Sequence, residues 1–523
     1  MARALAALLP CLLAPCASGA AQAATAPPAL SQFALQGAYE SWRLPGHEAM
    51  GMVAVGVRQH FGEHLRLGVD VYGAVRGERG GFITLGGYSG LEFSLAPQLS
   101  LETGLFIGAG GGRGGRELSG GGLMLRGNIG LHYLAGPVDF TAGVSQVDFP
   151  NGGIIRSTQA YVGAQLPFRA LLQPGGITGS PATAFTSATL DLTGYTPHPQ
   201  AFGVVLREID VSPGVSTDNG RPQQNFSLIG AEWRTFLGPH AFTRIEASAA
   251  MRGGVAGYMQ VMSGGGLHYP LSKRLDAHGS LSVGFGGGGG VNTAGGLLAA
   301  ADLGLQYALQ PHWLVEVGAG YFTAPHGALR AKTYTLRVAH GFGEPAAPGA
   351  PAFTAANSSA PANASSTGHY TARAVRVRFA EQHYFQGSDD WRSLPALNVG
   401  TLGFQFDYFM TPEWYLTGQG LGAYTGQAGA YMTGQLGLGT HRALTNRTFV
   451  ELEALTGAAG GGGLHTGSGL VLQLNANLGW QATDRLAVLL GLGEMQAANG
   501  PFRAHVAGVS VAYRFNALQL TRP

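Results

Sequence analysis

The run GAGGGRGG at residues 108–115 returns twice in altered form, as GFGGGGG at 284–290 and as GAAGGGG at 457–463. Each copy is flanked by segments that read as strand. Those before it are LSLETGLF (99–106), LDAHGSLS (275–282) and TFVELEAL (448–455). Those after it begin GGLMLR (121–126), GGLLAA (295–300) and GLVLQL (469–474), and each goes on to reach an aromatic residue, Tyr133, Tyr307 or Trp480. Each unit closes on a further strand ending in Phe168, Phe342 or Phe515, and these phenylalanines stand 174 and 173 residues apart. Solenoid units repeat every 20 to 50 residues or so, so this is a domain-sized unit present three times.

Composition narrows the class. Glycine accounts for 86 of 523 residues, where about 7% is usual. Charged residues make up 11%, against roughly 25% in soluble domains. Mean hydropathy is slightly positive, at +0.10, yet no apolar run of about 20 residues follows the N-terminus to supply a membrane helix. A membrane β-barrel reconciles the two facts, because its hydrophobicity alternates along each strand. Residues 1–23 read as a secretory signal peptide: Arg3 supplies the charge, residues 4–17 the apolar region, and Ala21-Gln22-Ala23 the small-x-small cleavage pattern. The only cysteines, Cys11 and Cys16, fall inside it. The mature chain is therefore expected to hold no disulfide, thiolate metal site or cysteine nucleophile. A formal net charge of +2 gives no reason to expect nucleic acid.

Eight strands are predicted in the first unit, near 33–43, 49–61, 65–76, 81–96, 99–109, 121–135, 138–149 and 156–168, from period-two apolar alternation broken by turn residues. The breaks alternate between long and short, as in membrane barrels with short periplasmic turns and longer outer loops. The same pattern gives β-barrel repeats at 31–168, 201–342 and 370–515. Residues 169–200 and 343–369 are linkers by their Pro, Ala, Ser, Thr and Gly content, and residues 516–523 read as a C-terminal tail.

Writing out the two faces of a strand sharpens the assignment. In 123–133, one face carries Leu123, Leu125, Ile129, Leu131 and Tyr133, the other Met124, Arg126, Asn128, Gly130 and His132. In the final strand Val509, Val511, Tyr513 and Phe515 oppose Ser510, Ala512 and Arg514. An apolar outside, a polar inside and an aromatic at the interface suit lipid. The strand–short turn–strand pattern, such as LAPQL at 95–99, and the aromatic-ended strand at 509–515 resemble the small eight-stranded Gram-negative outer-membrane barrels of the outer-membrane protein A and opacity types. The resemblance covers most of residues 31–515. It implies fold and a place in the cell outer membrane, with outer-membrane lipid and the barrel assembly machinery as partners. Two departures stand out: the chain continues past Phe515, and the unit occurs three times in tandem.

Aligning the units on their glycine runs places Glu102, His278 and Glu451 at one inward position, and Asn128, Asp302 and Asn475 at another, with Arg126 nearby. These groups are expected to form a hydrogen-bonded network that satisfies a polar barrel interior, with binding or catalysis as the competing reading. Arg376 and Arg378 share one strand face and either line a pore or meet acids across the lumen. In the enlarged outer loops, Asp218 is a candidate residue, and Asp389, Asp390 and Trp391 are candidates for surface or calcium binding, with a plain solvated loop the favoured reading. Gly110, Gly112 and Gly115 match a GxGxxG string, but in a hairpin with no following helix the dinucleotide reading fails. No P-loop, HExxH or GxSxG is present, and no catalytic, metal or cofactor site is predicted.

The fold class is thus all-β, a transmembrane antiparallel barrel protein of about 24 strands. Three tandem eight-stranded barrels are favoured, because eight strands close around a filled lumen and the linkers are long. One 24-stranded barrel is the alternative. The first architecture implies a non-enzymatic structural or surface-binding role through the outer loops, the second a porin or polymer-export pore. An outer-membrane enzyme ranks third, since no nucleophile–base pair at the rim is recognisable in the sequence.

Overall fold

A computed structural model describes residues 29–174, 199–237, 240–310, 313–342 and 369–521. The signal-peptide reading and most of both linkers lie outside the described residues. The first unit comprises β1 (Ala29–Arg43), β2 (Ala49–Phe61), β3 (Leu65–Arg76), β4 (Ile83–Ala96), β5 (Leu99–Gly111), β6 (Leu123–Ala135), β7 (Val138–Asp148) and β8 (Arg156–Pro174). The second comprises β9 (Gln200–Val211), β10 (Phe226–Phe236), β11 (Ala241–Arg252), β12 (Met259–Pro270), β13 (Leu275–Gly287), β14 (Leu297–Gln310), β15 (Trp313–Thr323) and β16 (Arg330–Phe342). The third comprises β17 (His369–Gln386), β18 (Val399–Phe409), β19 (Trp414–Ala423), β20 (Met432–Ala443), β21 (Thr448–Gly460), β22 (Leu470–Gln481), β23 (Leu486–Ala497) and β24 (Arg503–Thr521).

Every neighbouring pair is antiparallel, and each unit closes on itself. β1 pairs with β8 (Ala38 opposite Gly163), β9 with β16 (Leu206 opposite Leu336) and β17 with β24 (Val377 opposite Tyr513). The protein is therefore three eight-stranded barrels, and the single 24-stranded barrel does not form. Closure leaves no open sheet edge within any unit, which a strand in hydrocarbon requires.

The alternation resolves as period two demands. On β6, Ile129, Leu131 and Tyr133 are 53%, 47% and 52% exposed, whereas Arg126, Asn128 and His132 are buried. Exposed aromatics gather toward the short-turn end: Phe93, Tyr133, Phe140 and Phe168 on the first barrel, Trp233, Tyr269, Tyr307 and Trp313 on the second, Trp414 and Trp480 on the third. Such a girdle marks a membrane interface. Strands β8 and β24 run past the first and third girdles. Residues 169–174 and 516–521, expected as linker and tail, are strand there. The extra backbone is paired: Phe515, Asn516 and Ala517 lie opposite Pro174, Gln173 and Leu172, joining the first and third barrels at their short-turn ends.

The glycine runs explain how the barrels meet. β3 packs on β13, β11 on β21 and β19 on β5, so the third strand of each unit meets the fifth strand of another in head-to-tail order. A heterologous contact of this kind makes a ring when its rotation closes, and here it closes after three. The fourth strands lie at the centre, where Ile83, Met259 and Met432, the first residues of β4, β12 and β20, join Phe285 in one apolar cluster between the barrels. Gly122, Gly296 and Gly469 each immediately precede the sixth strand of their unit and hold φ of +90°, +95° and +100°. A Cβ on Gly122 would strike the Ala423 carbonyl, on Gly296 the Ala74 carbonyl, and on Gly469 the Ala250 carbonyl, in each case in a different barrel. Within the runs, a Cβ on Gly111 would strike the Gly429 carbonyl and one on Gly460 the Gly257 nitrogen, each in another barrel, and beside the runs the barrels meet backbone to backbone in the Gly80 N–H to Ala294 carbonyl bond of 2.7 Å and the Gly429 N–H to Gly120 carbonyl bond of 3.0 Å.

A side chain at Gly80 would meet Thr293 and Ala294, and one at Gly460 would meet Ala256 and Gly257, which are the second barrel's contacts with the first and third. With protease sites placed within residues 175–198 and 343–368, the cleaved barrels are expected to migrate as one particle in mild detergent. The Gly80→Leu/Gly460→Leu variant should release the second barrel; continued co-migration would disprove the ring.

Candidate functional site

Each lumen is filled in layers. At the outer mouth, side chains of the strands and the in-folded loops make an apolar plug: Trp42, Phe82 and Phe149 in the first barrel, Phe226, Tyr258 and Phe322 in the second, Tyr384, Trp391 and Phe502 in the third. In the second and third barrels an apolar layer also seals the short-turn end, around Phe236 and Phe242, and around Phe449 and Leu489. Between these layers lie the charges.

The predicted interior residues all point into this middle layer and are buried. In the first barrel Glu102 accepts from Arg58 Nη1 at 3.0 Å and from the Tyr88 hydroxyl at 2.5 Å. Arg126 donates to Glu40 at 3.0 Å and to Asn128 Oδ1 at 3.0 Å. In the second, His278 Nε2 lies 3.1 Å from Glu316, and Asp302 takes Arg244 at 2.6 Å, with Arg207 at 3.6 Å. In the third, the like-charged neighbours Arg376 and Arg378 share Asp407, at 2.6 and 2.7 Å. They also reach across the lumen, Arg376 to Glu451 at 2.7 Å and Arg378 to Glu453 at 2.5 Å. Asn475 donates to Glu453 at 3.3 Å.

Charge is matched within each barrel. The second sets Arg207, Arg234, Arg244 and Arg337 against Glu232, Glu246, Asp302 and Glu316. A buried charge is tolerated when it is paired and hydrogen-bonded, and most of these groups are; Arg337 lies 2.9 Å from Glu232 without hydrogen-bond geometry, and Nε and Nη2 of the buried Arg514 have no hydrogen-bond partner among the described residues. The cavity beside Arg378, Glu453 and Asn475 has a volume of about 30 Å³, room for water and for no larger ligand.

The outer-loop candidates separate. Asp218 pairs with Arg113 at 3.1 Å and thereby joins the loops of the second and first barrels. Burial pushes its carboxyl up from the ordinary range while Arg113 opposes the shift. Asp389 is exposed. Trp391, expected at the surface, is buried: it packs on Phe502 with ring centroids 6.2 Å apart, and its indole N–H donates to the Pro395 carbonyl at 3.2 Å. The loop folds back over the barrel mouth, so this side chain belongs to the plug. Among the described residues no group of three His, Cys, Asp or Glu side chains gathers to hold a metal, at Asp389 and Asp390 or elsewhere. Asp390 meets His465, 3.0 Å from its Nδ1, and His465 in turn meets Ser393 at 3.2 Å. Sequence reasoning did not single out His465 or Ser393. A residue-by-residue comparison of the glycine loops would have flagged His465, since the second unit has Asn292 at its place.

No family model and no curated protein matches the chain. Solved structures similar to it include Pseudomonas aeruginosa OccK11 (OpdR), 11% identical over 94% of this chain and 96% of that one, with a TM-score of 0.22. Another is the siderophore receptor PirA from Acinetobacter baumannii, 8% identical over 93% and 80%, with a TM-score of 0.27. The Yersinia pestis outer membrane protein Ail is 13% identical over 27% of this chain and 99% of its own, with a TM-score of 0.18. The fold of this chain stands on its own strand pairing.

Glu451 meets Arg376, Arg378 and His441. Glu451→Ala leaves two arginines short of a partner, and breaking a buried pair from one side costs about 3–5 kcal/mol. Urea titration followed by heat-modifiable gel migration should show a matching loss, with Asp389→Asn leaving the midpoint unmoved.

Proposed function

We propose that this chain is an integral protein of the Gram-negative outer membrane whose three barrels act as a closed scaffold. On this reading the biological role lies in the outer loops, as surface binding or membrane organisation, rather than in transport through a lumen. The observation that carries it is the filling of each barrel by paired charges beneath an apolar plug. Eight strands enclose a space that side chains fill, and a water-filled channel would leave inward charges solvated. The apolar exterior with its aromatic girdle supports a lipid environment, reached through the barrel assembly machinery. The ring adds to the scaffold reading: it holds three sets of loops in one fixed arrangement, which three barrels on free tethers would lack.

Purified protein, shown to be folded by heat-modifiable migration, is expected to give no steady conductance in a planar bilayer. It should also leave proteoliposomes unswollen in small sugars. A large, steady conductance would sink the scaffold reading in favour of a pore.

A further inference from the structure

The outer loops of the third barrel hold a constellation that the fold itself does not need. Asp390, Trp391, Arg392 and Ser393 follow one another between β17 and β18. Trp391 and Arg392 turn inward. The guanidinium of Arg392 donates to the carbonyls of Leu397 at 2.9 Å and Gly426 at 2.8 Å. Asp390 and Ser393 consequently stand on the outside, both exposed, facing His465 from the glycine loop between β21 and β22.

Ser393 Oγ lies 3.2 Å from His465 Nε2. His465 Nδ1 lies 3.0 Å from Asp390 Oδ1 and 3.0 Å from the Asp390 carbonyl oxygen. A carbonyl oxygen can only accept, so Nδ1 carries the proton. In the neutral ring Nε2 is then the acceptor, and the Ser393 hydroxyl donates to it. That is the order of protons a nucleophile–base–orienter set requires.

The backbone fixes this order. The Ser393 N–H donates to the Gly463 carbonyl at 2.8 Å, and the His465 N–H donates to the Trp391 carbonyl at 3.0 Å. Between them Arg392 and Leu464 form an antiparallel bridge. Nucleophile and base are thus laced together from both loops, which is the preorganisation that catalysis draws on. Gly463 has φ +74°, and a Cβ there would sit 3.4 Å from Ser393 Oγ, so the missing side chain keeps that flank of the hydroxyl open. The N–H groups of Gly462 and Gly463, in the same loop, donate to no backbone acceptor among the described residues and are left free to serve an oxyanion.

The other units do without the imidazole. Five residues before the sixth strand, the second unit has Asn292, whose backbone carbonyl accepts from the N–H groups of Ala328 and Leu329, and the first has Leu118, buried in its plug. The loop architecture therefore does not depend on histidine at this place.

We propose that Ser393, His465 and Asp390 form a hydrolytic site for carboxylic esters at the outer rim of the third barrel. The proposal rests on the reading that function resides in the outer loops. Ser393 Oγ attacks the ester carbonyl carbon as its proton passes to His465 Nε2. The tetrahedral intermediate collapses, the C–O bond to the alcohol breaks, and the leaving oxygen takes the proton from His465. Water, deprotonated by His465, then attacks the acyl-serine, releasing the carboxylic acid and restoring Ser393. Asp390 is a positioning residue: it holds the imidazole tautomer and faces the imidazolium as it forms.

The test uses the refolded full chain in detergent with a fluorophosphonate probe and p-nitrophenyl butyrate. A phosphonyl adduct on Ser393, identified by mass spectrometry, is expected. Ester hydrolysis should fall by about 100-fold or more in Ser393→Ala and in His465→Ala. Asp390→Asn should lower kcat and the labelling rate while leaving KM and heat-modifiable migration unchanged, a split that a merely structural role would not produce. Absence of the adduct in folded protein, or equal hydrolysis by wild type and Ser393→Ala, overturns the proposal. Parallel assays with phosphatidylethanolamine in mixed micelles distinguish a membrane ester from a soluble one. Steady conductance from a protein that labels at Ser393 would overturn the scaffold reading and leave the hydrolytic site standing.

Discussion

A strand in hydrocarbon must pair both of its edges, because no water is present to satisfy a free N–H or carbonyl. Everything else in this protein follows from meeting that demand eight strands at a time. The β1–β8, β9–β16 and β17–β24 ladders finish each unit before the next begins. A unit that closes so early encloses a narrow lumen, so side chains fill it. A unit with no open edge cannot join its neighbour through the membrane by strand pairing. The three barrels meet instead by packing, and the closest packing available to two backbones requires glycine.

The fillings show how strongly pairing constrains a dry interior. Arg376 and Arg378 sit two residues apart on one strand face, an arrangement that repels in isolation. It is acceptable here because Asp407 lies beside both and Glu451 and Glu453 come from the far wall. The second barrel solves the same problem with a different set, four arginines against four carboxylates. Such pairs contribute little net stability over an apolar filling. They do keep the inward face polar, and so preserve the alternation that distinguishes the lipid side from the lumen side of every strand.

Much of this was legible in the sequence. Period two identifies which residues of 123–133 face lipid, and it places Glu102, His278, Glu451 and their neighbours inside, because a strand offers only two faces. What the sequence hides is which residues meet across a lumen. Arg376 and Glu451 come from opposite strands of one barrel, 75 residues apart, and no local pattern links them. The ring is hidden for the same reason: Gly122 and the Ala423 carbonyl belong to different units. Strands β8 and β24 overran their expected ends because pairing continues beyond the girdle, where lipid no longer imposes alternation. Trp391 misled because its acidic neighbours suggest solvent, whereas an aromatic in a loop that folds over a barrel mouth finds more apolar area inside.

The units keep one thing alike and let another vary, and the difference has a physical cause. At the ring contacts the three copies agree nearly atom for atom, glycine against an alanine carbonyl each time. Any side chain there would collide with a backbone that cannot yield without opening a barrel. At the mouths the loops pack mainly on their own plugs, the Asp218–Arg113 pair between the second and first barrels excepted, so most of their residues answer to local constraints. Leu118, Asn292 and His465 can therefore occupy corresponding places in one architecture. A shared, backbone-made interface combined with independent mouths lets three equivalent scaffolds present three different chemistries at fixed positions. The side chains able to act on something outside the protein are consequently found where the copies differ.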